Sequence, residues 1–227
     1  MRRVEQHVIE KDHPKYQAID AMAFASKNLW NLANYHVRQS FIFQHTYLDN
    51  IATFHLLKAT DAYKALPAKV ANQVLIQLHK AWTAFFEAMQ EWREAPSKFT
   101  GRPKLPKYKH KTQGRNLLVF ELGAIWKAAL NYQEIAVTEL GFLVFTKQTR
   151  AVIDQVRIVP KADHYVVEVV YQAQKERAPT NPDLFVALDV GVNVLAALTS
   201  NKPGFIPRLV GGRPVKSAKY SRQPSMV

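Results

Sequence analysis

The sequence predicts an α+β protein, because three kinds of pattern follow one another along its 227 residues. Between residues 14 and 96, apolar residues recur at three- and four-residue steps, which is typical of amphipathic helices. Between residues 116 and 174 the apolar period becomes two, which indicates short antiparallel strands. Two long apolar strands then follow, at residues 184–189 and 194–198. The first contains Asp189, and a glycine lies between the two strands.

The helical segment predicts three helices. Pro14 fits the first turn of a helix that continues to about Tyr47, and a shorter helix is predicted over residues 51–64. Pro67 marks the start of the clearest helix, and Pro96 ends it. One stripe of that helix is apolar and aromatic, and we interpret it as core packing against the other helices; it consists of Ala71, Val74, Leu75, Leu78, Trp82, Phe85, Phe86 and Met89, with Arg93 at its end.

Short alternating runs predict the strands. A first strand is predicted over residues 2–10, and Asp163 with His164 occupies the position of a hairpin turn. The spacing of the later strands predicts a small antiparallel barrel or sandwich. Residues 175–183 are polar and indicate a linker. The other predicted strands are 117–121, 134–138, 142–147, 152–159, 165–171 and 205–210.

The composition excludes several classes of protein and favours one kind of partner. Lys and Arg exceed Asp and Glu by 31 to 18, and a soluble protein with a net charge of +13 usually binds a polyanion, most often nucleic acid. The absence of cysteine from the chain excludes disulfides and cysteine-ligated zinc, and suits the cytoplasm. No apolar stretch is long enough to predict a membrane span. The histidines show no metallohydrolase spacing.

Residues 97–115 form the first candidate binding site. They carry seven Lys or Arg and no acidic residue, and Gly101, Pro103 and Pro106 forbid a regular helix, so we expect an extended basic loop. Cations bind phosphates, and interleaved aromatic residues can stack on bases. The alternative is a solvated charged linker. The candidate nucleic-acid-binding residues are Lys98, Arg102, Lys104, Lys107, Tyr108, Lys109, Lys111 and Arg115.

A second basic cluster lies near the end of the sequence. It consists of Arg213, Lys216, Lys219 and Arg222, which are three residues apart and would share one face of a helix. Such a face could line a nucleic-acid groove. A solvated tail is an equally good interpretation, and the sequence leaves both open.

Asp189 is the candidate catalytic and metal-ligating residue. A carboxylate between apolar strands is costly to bury unless a cation meets it, and in nuclease chemistry that cation is a divalent metal such as Mg²⁺. In an RNase H-like fold, a carboxylate midway along the first strand points at such a site, and a following glycine such as Gly191 permits close approach. The alternative is a turn aspartate that caps a hairpin, with Gly191 and Asn193 as turn residues.

Four segments, taken in order, resemble the OrfB-type insertion-sequence transposase family, also called TnpB, whose members are RNA-guided DNA nucleases related to type V CRISPR effectors. The resemblance covers nearly the whole chain. No single segment would suffice to indicate the family, whereas the four segments together, in this order, are specific for it. They are VLIQLHKAWTAFF at 74–86, GRPKLPKYK at 101–109, LDVGVNVLAALTS at 188–200 and GRPVKS at 212–217.

The resemblance implies an architecture and a set of partners. Residues 1–13 would give the first strand of a β-barrel wedge domain that is completed by residues 116–175. A helical recognition domain, residues 14–96, would be inserted into it and followed by the basic loop. Residues 176–227 would begin an RNase H-like (RuvC) nuclease domain, in which Asp189 would match the first catalytic aspartate. Guide RNA and target DNA would lie in a basic channel, with pairing supplying most of the specificity.

The resemblance also implies that this chain lacks part of the family's site. Family members are longer, and their additional part carries a catalytic Glu, a further catalytic Asp and a four-cysteine zinc ribbon. We therefore expect a C-terminally truncated member that binds guide RNA and DNA in the cytoplasm but cleaves little by itself, since a lone carboxylate binds Mg²⁺ poorly. The alternatives are an inactive nucleic-acid-binding regulator and a pseudogene remnant.

Overall fold

The computed structural model describes residues 1–148, 152–173, 181–191 and 194–212. The chain divides into two compact units, Met1–Gln174 and Lys175–Val227, and each is described by itself. None of the described helices is long and apolar enough to cross a membrane.

The first unit contains all the described helices, and the two long ones are confirmed. The continuous helix predicted over residues 51–64 is wrong, because the chain there forms two short helices. Thr60 separates them: its hydroxyl donates to the carbonyl of Leu57 at 2.7 Å and accepts from the amide of Tyr63 at 3.4 Å, which caps the second helix. The helices are α1 (Tyr16–Phe43), α2 (Asn50–Leu57), α3 (Asp61–Lys64), α4 (Ala68–Glu94) and α5 (Lys127–Leu130).

The strands of the first unit form a four-stranded antiparallel sheet and a two-stranded ribbon. The sheet has the order β1-β6-β5-β2, with β1 (Arg2–Ile9), β2 (Leu118–Glu121), β5 (Ile153–Pro160) and β6 (Tyr165–Gln172). The ribbon pairs β3 (Glu134–Val137) with β4 (Gly141–Phe145). The pairing of β1 with β6 runs from Arg2 opposite Gln172 to Ile9 opposite Tyr165, so α1–α4 lie in sequence between strands of one sheet.

The expected barrel is not formed by the described residues. A barrel requires every strand to pair on both sides, whereas β1 and β2 are the two edges of the sheet. Helices α1 and α4 contact β2, and buried residues of the helices, the sheet and the ribbon form one hydrophobic cluster. The description of these parts as a wedge and a recognition domain stays a prediction.

Helices and sheet share one hydrophobic core. Trp82 of α4 and Phe120 of β2 are among its largest fully buried side chains, and Ile19 of α1 and Ile158 of β5 belong to the same cluster. The apolar stripe predicted for α4 is buried as expected, with Phe85 and Phe86 only partly covered; its buried members are Ala71, Val74, Leu75, Leu78, Trp82 and Met89. The stripe packs against strands as well as helices.

Glu5 connects the ribbon to the edge strand β1. Its carboxylate accepts hydrogen bonds from Thr146 Oγ1 at 3.1 Å, the Lys147 amide at 3.2 Å and Gln148 Nε2 at 2.9 Å, and it lies 2.8 Å from His7 Nε2. Burial raises the pKa of this carboxyl, but the hydrogen bonds together outweigh burial and hold the pKa below its usual value.

The second unit contains a three-stranded antiparallel sheet in the order β7-β8-β9. The strands are β7 (Val186–Asp189), β8 (Val194–Ser200) and β9 (Arg208–Gly211), close to the three predicted runs. The expectation that the strand of Asp189 is buried is wrong, since all four residues of β7 are exposed. The described part of this unit is a single sheet, and burial of a strand needs a second layer.

Candidate nucleic-acid interface

The predicted basic loop lies against one face of α1. We call residues 102–111 the strap. Five side chains of α1 donate hydrogen bonds to strap carbonyls. Four of them are spaced at three or four residues and form one helical stripe, and the fifth, Trp30, lies next to it. The donors are Lys27, Trp30, Asn31, Asn34 and Arg38, and the respective acceptors are the carbonyls of Lys111, Lys107, Lys109 and Pro106, the last shared by Asn34 and Arg38.

Two asparagines make the most complete contacts. Asn31 pairs with the backbone of Lys109: its Nδ2 donates to the carbonyl at 2.9 Å, and its Oδ1 accepts from the amide at 2.8 Å. Asn34 is fully buried; its Nδ2 donates to the Pro106 carbonyl at 2.9 Å and its Oδ1 accepts from Trp82 Nε1 at 3.1 Å. Asn34 therefore connects the strap through α1 to α4.

The buried side chain of Lys27 binds the C-terminal end of the strap. This side chain is only 2% exposed, its Nζ donates to the Lys111 carbonyl at 2.6 Å, and the ammonium lies 3.7 Å from the ring centre of Phe24. Burial, followed by repulsion from Arg115, lowers the pKa of Lys27. Lys27 was not among the candidate residues predicted from the sequence.

A tight turn and an ion pair follow the strap. The Gly114 amide donates to the His110 carbonyl at 3.1 Å, and a Cβ at position 114 would lie 2.5 Å from that same oxygen. Arg115 then forms a bidentate pair with Asp20 of α1, at 2.7 and 2.6 Å, and Tyr165 donates to the same carboxylate at 2.7 Å. Arg115 holds the pKa of Asp20 below its usual value.

Most of the predicted cations remain available to a ligand. Lys109 is half-buried over the ring of Trp30, 5.0 Å from its centre, and burial lowers its pKa. Arg115 is half-buried, and its charge is compensated by Asp20, so it fits the role of an anchor better than that of a phosphate ligand. The exposed members are Lys98, Arg102, Lys104, Lys107 and Lys111, and Lys98 lies 3.8 Å from Glu91.

Tyr108 is the exposed aromatic residue of the strap. The guanidinium carbon of Arg38 lies 5.0 Å from the centre of its ring, and the side chain is 46% exposed. Phe99, the other aromatic residue of the predicted loop, is half-buried. The structure thus separates the two aromatic residues that the sequence treated alike.

Sequence reasoning missed the polar stripe of α1 and Arg38 in particular. A signal existed: Lys27, Asn31, Asn34 and Arg38 repeat at steps of four, three and four residues on a helix with an apolar stripe. Such a second, polar stripe indicates that something polar packs there. The sequence does not say that this partner is the basic loop.

The other predicted site residues are not brought to this interface. Arg213, Lys216, Lys219 and Arg222 lie outside the described residues. Asp189 is the last residue of β7, opposite Ala197 of β8, and its side chain is exposed. Among the residues that the structure describes, no group of three or more His, Cys, Asp or Glu side chains could hold a metal ion.

No protein-family model matches the sequence, and a search of curated proteins found no match. A cryo-EM structure of a Cas12f1–sgRNA–target DNA complex aligns with 96% of this chain at 10% identity and a TM-score of 0.37. A cryo-EM structure of a CRISPR-Cas12f ternary complex aligns with 90% of it at 8% identity and a TM-score of 0.40.

The chain spans 59% and 50% of the lengths of those two neighbours. At these identities and TM-scores neither alignment assigns a family or a function to this chain.

Proposed function

We propose that this protein binds nucleic acid along the strap, with exposed cations contacting phosphates. The observation that carries the proposal is the docking of the strap on α1. Four of its backbone carbonyls accept hydrogen bonds from α1 side chains, while Arg102, Lys104, Lys107 and Lys111 remain exposed. A solvated linker, the alternative interpretation of the same residues, has no such set of backbone contacts.

Rigid presentation of the cations favours binding. A flexible polybasic segment must be ordered when it binds, which costs free energy for each immobilised residue. In this protein that cost is met during folding, because the bonds from Asn31 and Asn34 fix the strap backbone. The net charge of +13 adds a long-range attraction for any polyanion.

We further propose that the polyanions are a guide RNA and its target DNA, and that the chain is part of a transposon-encoded, RNA-guided DNA endonuclease. The four segments that resemble the OrfB-type family support this proposal, and one of them, residues 101–109, forms most of the strap. The second candidate is a nucleic-acid-binding regulator without catalysis, which the exposed position of Asp189 favours.

The described residues do not fit the two-metal site that the family resemblance implies. Mg²⁺ needs several oxygen ligands, and the three strands of the second unit carry a single carboxylate, that of Asp189. We therefore propose binding without cleavage for this polypeptide by itself. Incubation of labelled DNA and RNA with the purified chain and Mg²⁺ tests this, and metal-dependent cutting that is lost in Asp189→Ala would contradict it.

The binding proposal is tested with a charge-reversal pair and a matched control. The variant Lys104→Glu/Lys107→Glu should bind a single-stranded oligonucleotide more weakly. Its log–log slope against salt should become shallower by about 1.4, because each phosphate contact contributes about 0.7 on single strands. The control is Lys127→Glu/Lys161→Glu, which changes the net charge equally at exposed lysines outside the strap. Equal losses in both variants would contradict a site on the strap.

A further inference from the structure

Tyr108 is held more firmly than an exposed loop tyrosine normally is. The residues on both sides are anchored to α1: Trp30 Nε1 donates to the Lys107 carbonyl at 3.3 Å, and Asn31 pairs with both backbone groups of Lys109. The backbone at position 108 is therefore fixed before any ligand binds. A tyrosine has only two side-chain torsions left to order.

Arg38 covers part of this ring and leaves the rest open. Its guanidinium is itself fixed, because NH1 donates to the Pro106 carbonyl at 3.1 Å. The cation lies 5.0 Å from the ring centre, and 46% of the tyrosine remains exposed. Within the described part of the chain, no second aromatic ring packs on Tyr108. The arrangement is a flat aromatic surface, supported by a cation, between the exposed cations Lys107 and Lys111.

We propose that Tyr108 is a stacking platform for one unpaired nucleobase, so that the strap binds single-stranded nucleic acid in preference to duplex. This inference rests on the proposed binding function and adds the ligand class. Base–aromatic stacking needs a free base face. In a duplex both faces of each base are covered by neighbouring pairs, so a surface tyrosine has no base to stack on, whereas a single strand can offer a base here and phosphates to the lysines on either side.

The test separates stacking from phosphate binding. The full-length protein is titrated with fluorescein-labelled oligo(dT) and oligo(rU) of about 12 nucleotides, a length in the range of single-strand sites, with an abasic strand of the same length and with a duplex. Tyr108→Leu should lower the affinity for the strands with bases by about 5- to 150-fold, the range of base–aromatic stacking. It should leave the abasic strand and the duplex unchanged. Tyr108→Phe, which keeps the ring, should bind as the wild type does.

Tyr132→Leu is the matched control, because Tyr132 is a 75% exposed tyrosine outside the strap. An equal loss on strands with and without bases would overturn the stacking inference and leave phosphate binding intact. The stacking inference would also be overturned if Tyr108→Leu bound all four ligands with wild-type affinity, or if the wild type bound the duplex more tightly than the single strands. If the wild type binds none of the four ligands, the proposed function fails together with this inference. A far-UV circular dichroism spectrum of each variant establishes that it is folded.

Discussion

Replacement of Asn34 by alanine should destabilise the first unit, and the size of the effect can be worked out from its contacts. The substitution removes the donor to Pro106 and leaves Trp82 Nε1, a fully buried group, without its acceptor. An orphaned buried donor costs about 1–3 kcal/mol and a lost hydrogen bond about 1 kcal/mol. Arg38 still serves the Pro106 carbonyl, and alanine regains about 0.5 kcal/mol of helix propensity. The net loss is about 1.5–3.5 kcal/mol.

Thermal unfolding followed by far-UV circular dichroism measures this loss. All the described helices belong to the first unit, so the helical signal reports on it. In a domain of this size 1 kcal/mol lowers the Tm by about 2–4 °C, so Asn34→Ala should melt about 3–14 °C below the wild type. The control is Asn28→Ala, because Asn28 is exposed on the same helix and should tolerate alanine. A Tm of Asn34→Ala within about 1 °C of the control would refute the proposed link between strap, α1 and α4.

Two further predictions concern the segment after the strap. Gly114→Ala should lower the free energy of unfolding by about 1–3 kcal/mol, because its Cβ would lie 2.5 Å from the His110 carbonyl oxygen. The control is Gly101→Ala, whose Cβ meets nothing within 4 Å, and equal urea midpoints for the two variants would contradict the close approach. Because Arg115 lowers the pKa of Asp20 in the folded state, this carboxylate contributes stability above its usual pKa of 3.8 that is lost as the pH falls below it. Urea unfolding between about pH 5 and about pH 2 should therefore show a smaller loss of stability in Asp20→Asn than in the wild type, and parallel losses would contradict the assignment.

Much of the local structure could be predicted from the sequence, because it follows from the spacing of apolar residues. The stripe of α4 from Ala71 to Met89 leaves one choice of element and of buried face. The apolar run of β6 predicts a strand but no single buried face, and residues on both of its faces are buried. The partner of β1 could not be derived in this way. Its register with β6 joins residues more than 150 positions apart, such as Val8 and Val166, and period-two patterns do not specify which strands pair. The insertion of the helices was therefore implied only by the family resemblance.

The sequence predicted the basic residues of the candidate site, but not the docking of the strap on α1. The exposed positions of Lys104 and Lys107 agree with the expectation from charge alone. The docking of the strap depends on backbone carbonyls, which every residue has, so the loop sequence carries no signal for it. Arg115 was expected to bind nucleic acid and is paired with Asp20 instead. The sequence does not show which carboxylate the fold places beside a given arginine.

Asp189 illustrates a different limit of sequence reasoning. Its apolar neighbours predicted burial, because such runs usually lie between two layers. Whether a layer covers a strand depends on other segments of the chain, and the described residues of the second unit supply only β7–β9. The role of Asp189 as a metal ligand stays a prediction.

The most direct test of nucleic-acid binding by the strap is ultraviolet crosslinking of the full-length protein to a single-stranded RNA, followed by mass spectrometry of the crosslinked peptides. The account predicts that crosslinks concentrate on residues 102–111, with Tyr108 among the modified positions, and that unlabelled oligonucleotide competes them away. Competable crosslinks that fall only outside this segment would contradict it.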